Sequence, residues 1–251
     1  MKIRLYVLTV MLASAALLSA CSTQAPTAAP SSSAGLGSPK NDNGVFMRRH
    51  ESFLQRTKEG PVDLLFVGDS ITEGWAHRAP ALWQQRYGAY RPANFGIGGD
   101  RVEHVLWRLD HGELDGIRPK VIVLMIGTNN TPGNSAQIAQ DIRQIVALIQ
   151  HKQPQCKILL LGLLPRGPRK DASGRLDDAL ARMQSIRAIN ADIAGLDDGR
   201  RVRYLDIGDR FLQEGKIPDA LMPDQLHPSL AGYQIWADAM QPLLDEMLGQ
   251  P

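Results

Sequence analysis

Five apolar runs rich in β-branched residues, separated by segments with helical periodicity, constrain the fold of this chain more than any other feature. Such alternation is typical of a parallel sheet with helices on both faces, because its strands are buried on both sides. The sequence therefore predicts an α/β fold, a three-layer α/β/α sandwich around a five-stranded parallel sheet. The predicted strands are Val62–Val67, Ala93–Ile97, Val121–Ile126, Lys157–Leu164 and Val202–Ile207.

Three of the helices can be placed from the sequence. One begins at Ser135, and its apolar stripe is Ile138, Ile142, Ile145, Val146 and Ile149. A second carries the stripe Leu180, Met183, Ile186, Ile189 and Ile193. The last is predicted to begin at Pro228, because proline is favoured at the first helical position, and to run to about Leu248.

The N-terminus is predicted to be a leader rather than part of this domain. Lys2 and Arg4 precede a short apolar run, which is typical of a signal peptide. The run ends in Leu18-Ser19-Ala20-Cys21, which resembles the lipobox of bacterial lipoproteins. This resemblance implies lipidation of Cys21 and a protein anchored in the bacterial cell envelope, and Ser22 favours the outer membrane facing the periplasm. A plain secretory signal followed by a coincidental cysteine is the alternative.

The segment after Cys21 is rich in Ser, Ala, Pro, Thr and Gly, and it predicts a flexible tether. The expected organisation is a signal peptide at residues 1–20, the lipidated cysteine and tether at 21–43, and one folded domain at 44–251. Removal of Lys2 and Arg4 with the leader balances 26 basic against 26 acidic residues, so nothing indicates a nucleic-acid partner. The other cysteine, Cys156, is expected to be a small core residue.

Candidate functional residues follow the apolar runs, as expected where parallel strands end at one edge of a sheet. They are Gly68-Asp69-Ser70 after the first run, Gly98-Gly99-Asp100 after the second, Asn129 after the third, and Asp224 with His227 beyond the fifth. A serine needs a neighbouring base to act as a nucleophile, and glycine N–H groups or an asparagine amide can stabilise an oxyanion. Each motif alone is equally typical of a helix cap or a turn.

Two rival interpretations are weaker. A dinucleotide-binding fingerprint would need a glycine at position 101, where Arg101 stands, and it would follow the first strand rather than the second. His77 is nearer to Ser70 in sequence than His227 is. It would lie about 10 Å along the axis from a serine at the helix start, so His227 is the preferred base.

Taken in order, these motifs resemble the blocks of the GDSL, or SGNH, hydrolase superfamily. The wording "NFGIGGDRVEHVLWRL" and "IGTNN" is similar to the branch that contains the platelet-activating-factor acetylhydrolase catalytic subunits. The resemblance implies a flavodoxin-like fold with Ser70 as nucleophile, His227 as base and acid, and Asp224 as its orienting carboxylate. It implies an oxyanion hole made by the N–H groups of Ser70 and Gly99 and the side chain of Asn129, with Gly98 as an alternative to Gly99.

The resemblance also implies a serine esterase for short, above all acetyl, esters that uses neither a metal nor an organic cofactor. The expected partner is a small-molecule or glycan ester, and the membrane is contacted only through the lipid anchor. Three functions stay open at this point: hydrolysis, polysaccharide O-acyl transfer or deacetylation, and glycan binding without catalysis. The oligomeric state is also open, since the mammalian members dimerise.

Overall fold

The computed structural model describes residues 36–168 and 173–249. The predicted signal peptide, Cys21 and most of the predicted tether lie outside the described residues. One sheet of parallel strands has the order β2-β1-β3-β4-β5, which confirms the predicted fold class. Its strands are β1 (Leu64–Gly68), β2 (Pro92–Gly96), β3 (Val121–Met125), β4 (Lys157–Leu161) and β5 (Val202–Leu205).

Helices cover both faces of this sheet. Within the described ranges they are α1 (Val45–Arg56), α2 (Ser70–Glu73), α3 (Trp75–Arg78), α4 (Pro80–Tyr87), α5 (Val102–Arg108), α6 (Ser135–Lys152), α7 (Ala179–Ala194) and α8 (Leu230–Leu248). No helix in these ranges combines the length and apolarity needed to cross a bilayer.

Successive side chains along each strand point to opposite faces of the sheet, so each helical layer packs against its own set of strand residues. Phe66 of β1 contacts an aromatic cluster contributed by α3, α4 and α8: Trp75, Trp83, Tyr87 and Trp236. Phe66 is in register with Asn94, so Phe95 points to the opposite face, where it stacks on Phe53 of α1. Helix α5 packs beside α6, and α6 beside α7. The buried aromatic and aliphatic side chains of the described residues thus pack against both faces of the sheet.

Two predicted strands extend too far toward the functional edge. Strand β4 ends at Leu161 rather than Leu164, because the side chain of Asn190 replaces a neighbouring strand by bonding both the N–H and the C=O of Leu163. Strand β5 ends at Leu205, where Asp206 accepts a hydrogen bond from the Gly208 N–H and begins a turn. The other strand boundaries differ by at most two residues from the prediction.

Two predictions for the helices are also wrong in detail. Helix α8 begins at Leu230, since the hydroxyl of Ser229 accepts the Gly232 N–H and caps the helix, which leaves Pro228 outside it. On α7, Leu180 is 64% exposed, whereas Ile186, Ile189 and Ile193 are buried as expected. The predicted start of α6 at Ser135 is confirmed.

Residues 36–43, the last part of the predicted tether, contact the folded domain. The Ser38 N–H donates to the Glu103 carbonyl (3.2 Å), and the Lys40 ammonium donates to the Gly98 carbonyl (2.7 Å). The Asp42 carboxylate accepts the Phe46 N–H in the first turn of α1 (2.8 Å). This part of the chain therefore lies against the functional edge of the sheet.

Candidate active site

Ser70 is the first residue of α2. A single residue, Asp69, connects it to Gly68 at the end of β1. So tight a connection needs glycine at position 68, because a Cβ there would lie 2.2 Å from Thr72 Oγ1 and 2.4 Å from the Met125 carbonyl oxygen. Asp69 caps the helix by accepting the Ile71 N–H (2.9 Å). The hydroxyl of Ser70 is thereby presented at the carboxyl edge of the sheet.

Ser70, His227 and Asp224 form a continuous chain of hydrogen bonds. His227 Nε2 lies 2.9 Å from Ser70 Oγ, and His227 Nδ1 lies 2.6 Å from Asp224 Oδ2. The partner of Ser70 is therefore His227 rather than His77. The three residues come from opposite ends of the domain sequence, and the sheet brings them together.

The loop before α8 builds the pair of Asp224 and His227 locally. Asp224 Oδ1 accepts the N–H groups of Leu226 (3.2 Å) and His227 (2.7 Å), and Gln225 takes the left-handed conformation at φ 61°. Partial burial by itself would raise the pKa of Asp224, but the hydrogen bonds from His227 and from the two N–H groups hold this pKa below its ordinary value. Asp224 is thus an ionised acceptor for the imidazole at neutral pH.

The predicted oxyanion residues lie at the same cleft. A cavity of about 430 Å³ is lined by Ser70, Gly99, Asn129, Arg166, Gly167, Pro168, Asp224, Gln225, Leu226 and His227. The lining includes Gly99 but not Gly98, which favours the predicted choice between the two. Asn129 Nδ2 donates to the Asp100 carbonyl (2.9 Å), so the amide is held in place beside the cleft.

Comparison with known proteins agrees with this geometry. The profile of the GDSL-like Lipase/Acylhydrolase family matches residues 66–235, more than half of the chain and the part that contains Ser70, Gly99, Asn129 and His227. The chain belongs to this family. It is accordingly a GDSL-type esterase/acylhydrolase.

Individual relatives of this GDSL hydrolase are similar over most of its length. Platelet-activating factor acetylhydrolase IB subunit alpha1 of Bos taurus is 35% identical over 213 residues, which cover 83% of this chain and 86% of the relative. A GDSL-like lipase structure from Bacteroides thetaiotaomicron has a TM-score of 0.62 at 22% identity and covers 78% of this chain and 97% of its own. A variant of an acetyl-xylooligosaccharide esterase from Geobacillus Stearmophilus has a TM-score of 0.54 at 20% identity, with 75% and 94% covered. At these identities the two structures show a shared fold.

Behind the cleft of this GDSL hydrolase lies a buried ionic network that no sequence motif predicted. Arg108 is fully buried and donates from Nε to Asp100 (2.9 Å), from Nη1 to Glu113 (2.5 Å), and from Nη2 to the carbonyls of Gly68 (3.0 Å) and Phe95 (2.7 Å). Glu113 is also hydrogen-bonded to buried His50 (2.9 Å). The network ties the ends of β1 and β2 to the loop that carries Gly99.

Two carboxyl groups beside the nucleophile have raised pKa values. Burial raises the pKa of Asp69 to about 7, and the nearby Asp100 charge adds to the rise, whereas the Ile71 N–H and Arg166 oppose it. Burial also raises the pKa of Asp100 to about 6, against the opposing effect of Arg108. Both groups lie outside the Ser70–His227–Asp224 chain.

Arg166 lines the cleft, although no sequence motif predicted it as a site residue. It is 4% exposed and donates from Nη1 to the carbonyl of Thr128, the residue before Asn129 (3.0 Å). Its position shortly after the fourth apolar run could have marked it as a candidate, because the other site residues also follow apolar runs. Three apolar residues near this edge, Leu163, Leu164 and Met222, are buried in the core.

Proposed function

We propose that this GDSL hydrolase cleaves short-chain acyl esters, above all acetyl esters, through an acyl-enzyme. One observation carries the proposal: the hydrogen-bonded chain from Ser70 through His227 to Asp224 opens into a cleft that also presents Gly99 and Asn129. This arrangement contains a nucleophile, a base, an orienting carboxylate and oxyanion donors within one site.

Each group has a defined step in this mechanism. Ser70 Oγ attacks the ester carbonyl while His227 Nε2 takes its proton, and His227 then returns that proton to the departing alcohol. Water repeats the cycle on the acyl-enzyme and releases the acid and free Ser70. Asp224 stays ionised, holds Nδ1–H and stabilises the imidazolium, since its pKa is lowered.

The tetrahedral oxygen requires donors that are already in place. We assign these to the N–H groups of Ser70 and Gly99 and to Asn129 Nδ2. An amide nitrogen carries two protons, so Asn129 can donate one to the Asp100 carbonyl and keep the second for the oxyanion.

The lining of the cleft supports a short acyl group. A long acyl chain requires an apolar channel, and three apolar side chains close to this edge, Leu163, Leu164 and Met222, are packed into the core and do not line the cleft. Pro168 and Leu226 are the only residues with apolar side chains among the described residues that line the cleft. An acetyl group needs no more apolar surface than this.

The alcohol part of the ester has more room. A second depression of about 460 Å³ shares Arg166, Gly167 and Gln225 with the cleft. We propose that it receives a bulky alcohol such as a carbohydrate, and the name of one fold relative, an acetyl-xylooligosaccharide esterase, supports this choice. The name of the bovine relative supports platelet-activating factor as the alternative, so the two acetyl donors should be compared directly.

The proposal is tested with p-nitrophenyl esters from acetate to palmitate, followed by acetylated xylooligosaccharides. We expect rates to fall steeply with chain length, and Ser70→Ala to lower kcat by at least about 10³ and Asn129→Ala by about 10² to 10³. His227→Ala should match the serine variant, whereas His151→Ala, at an exposed position on α6, should keep wild-type rates. Full activity in Ser70→Ala would contradict the proposal. Slow hydrolysis accelerated by added carbohydrate would indicate acyl transfer instead.

We further propose that Cys21 is lipidated and anchors the enzyme in the bacterial outer membrane, facing the periplasm, with the segment after it as the tether. The support is the sequence Leu18-Ser19-Ala20-Cys21 behind a basic and apolar leader. Mass spectrometry of the mature N-terminus tests this, and Cys21→Ala should release the enzyme into the soluble periplasmic fraction. An unmodified Cys21 in membrane-free enzyme would contradict the proposal.

A further inference from the structure

Residues 37–42, here called the strap, lie along the loop that carries Gly99. Its backbone is pinned at Gly37, where a Cβ would lie 2.2 Å from the Glu103 carbonyl oxygen, and at Ser38, whose N–H donates to that oxygen. Lys40 then reaches the loop and donates to the Gly98 carbonyl at 2.7 Å. Its ammonium is 3.4 Å from Asp42 of the strap, and its side chain is 23% exposed.

Gly98 and Gly99 are the central residues of a tight turn. The Asp100 N–H donates to the Ile97 carbonyl (3.1 Å), which closes the turn, and Gly99 has φ +73°, the third-position conformation of a type II turn. Type I and type II turns differ mainly by a flip of the central peptide. With glycine at both central positions neither orientation is sterically costly, so the surroundings must select one.

The selected orientation decides where the Gly99 N–H points. In a trans peptide the C=O of residue 98 and the N–H of residue 99 point in opposite directions. A donor that holds the Gly98 oxygen on the strap side therefore directs the Gly99 N–H away from the strap. Among the described residues this N–H has no hydrogen-bond acceptor, and Gly99 lines the cleft beside Ser70 and Asn129.

We propose that Lys40 is a positioning residue that orients the Gly98–Gly99 peptide of the oxyanion hole. This inference rests on the proposed function, since it assigns Gly99 as an oxyanion donor. A flipped peptide would turn a carbonyl oxygen toward the negative charge of the tetrahedral intermediate. The cationic donor also polarises the peptide and strengthens the opposite N–H as a donor.

Side chains also hold carbonyls on either side of this turn. The last two residues of β2 accept from Arg108 (Phe95, 2.7 Å) and Arg49 (Gly96, 3.2 Å), and Asp100 accepts from Asn129 (2.9 Å). Lys40 differs from these donors in coming from the strap, which precedes α1; like Arg49, it lies outside the span matched by the family profile. The strap therefore supplies the donor for the Gly98 carbonyl, whereas the rest of the domain supplies the donors for the carbonyls around it.

The first test compares turnover in variants of the full chain. Lys40→Met removes the ammonium but keeps the side-chain bulk, and we expect kcat to fall about tenfold while KM changes less than about twofold. Lys40→Arg should recover most of the loss. Lys157→Met is the matched control, because Lys157 also donates to a carbonyl at 2.7 Å, that of Met247 at the end of α8. Equal kcat in the Lys40→Met and Lys157→Met variants would overturn the proposal.

The second test reads the peptide itself and does not depend on turnover. The sequence contains one Gly-Gly pair, so glycine labelled with carbonyl ¹³C and amide ¹⁵N gives a single HNCO peak, from Gly98 C′ and the Gly99 N–H. We expect this peak to move in Lys40→Met and to stay in place in Lys157→Met. If the wild type hydrolyses no ester, the proposed function fails. The position of this peak still tests whether Lys40 orients the Gly98–Gly99 peptide. An unmoved peak in Lys40→Met overturns it.

Discussion

Asp69 illustrates how one residue can serve the site without taking part in the proton relay. It caps α2 directly before the nucleophile, yet it is 1% exposed, and burial raises its pKa to about 7. The native state therefore binds its proton more tightly than the unfolded chain does. Stability from this group is fully present below its unfolded pKa and is lost as the pH rises through 7.

Replacement of Asp69 by Asn should remove this pH dependence while keeping the cap. As the pH rises, wild type loses stability and the variant does not. The unfolding free energy of Asp69→Asn minus that of wild type should therefore rise by about 3 kcal/mol from pH 5 to pH 8. Urea unfolding at several pH values measures the difference. Asp178→Asn is the control, since Asp178 caps α7 in the same way from an exposed position. If the two variants respond alike to pH, Asp69 is ionised at low cost and the prediction is wrong.

At the scale of elements, the ends of strands and helices are set by side chains that come from other elements. Asn190 of α7 replaces a neighbouring strand for Leu163, and Tyr233 of α8 donates to the Ile71 carbonyl in α2 (2.7 Å). Arg108 of α5 joins the ends of β1 and β2 to Asp100 and Glu113. These links hold the short α2 and the turn at residues 97–100 in fixed relation.

Loss of Arg108 should therefore cost stability as well as activity. Arg108→Met leaves two buried carboxyl groups without their cation, and we expect it to lower the free energy of unfolding by about 3–5 kcal/mol. Arg203→Met, which breaks the pair with exposed Glu246 on the molecular surface, should cost at most about 1 kcal/mol. Equal midpoints of urea unfolding for the two variants would show that the buried network contributes nothing of its own.

For the whole molecule, the strap changes where the functional domain begins. The sequence predicts a tether up to residue 43, but residues 36–43 contact α1, α5 and the Gly98 carbonyl. The boundary at residue 44 stays a prediction, whereas these contacts indicate that the segment before it belongs to the working enzyme.

Two truncated chains distinguish these views. A chain that begins at Leu36 should keep the full kcat. One that begins at Gly44 loses Lys40 and the Asp42 bond to the Phe46 N–H, and its kcat should fall about tenfold, with α1 also less stable. Ester hydrolysis and thermal unfolding measure the two effects. If both chains have the same kcat, the strap is a tether and nothing more.

The sequence by itself determined the parallel α/β fold and the family, because both depend on short-range patterns. Strand runs, helical stripes and strand-end motifs such as Gly68-Asp69-Ser70 are complete within a few residues, and the pair of Asp224 and His227 is built within one loop. The tertiary structure alone decided the roles of Arg108, Arg166 and Lys40. Each looks like an ordinary surface cation in sequence, and each donates to a backbone carbonyl at least 13 residues away that only folding brings within hydrogen-bond distance.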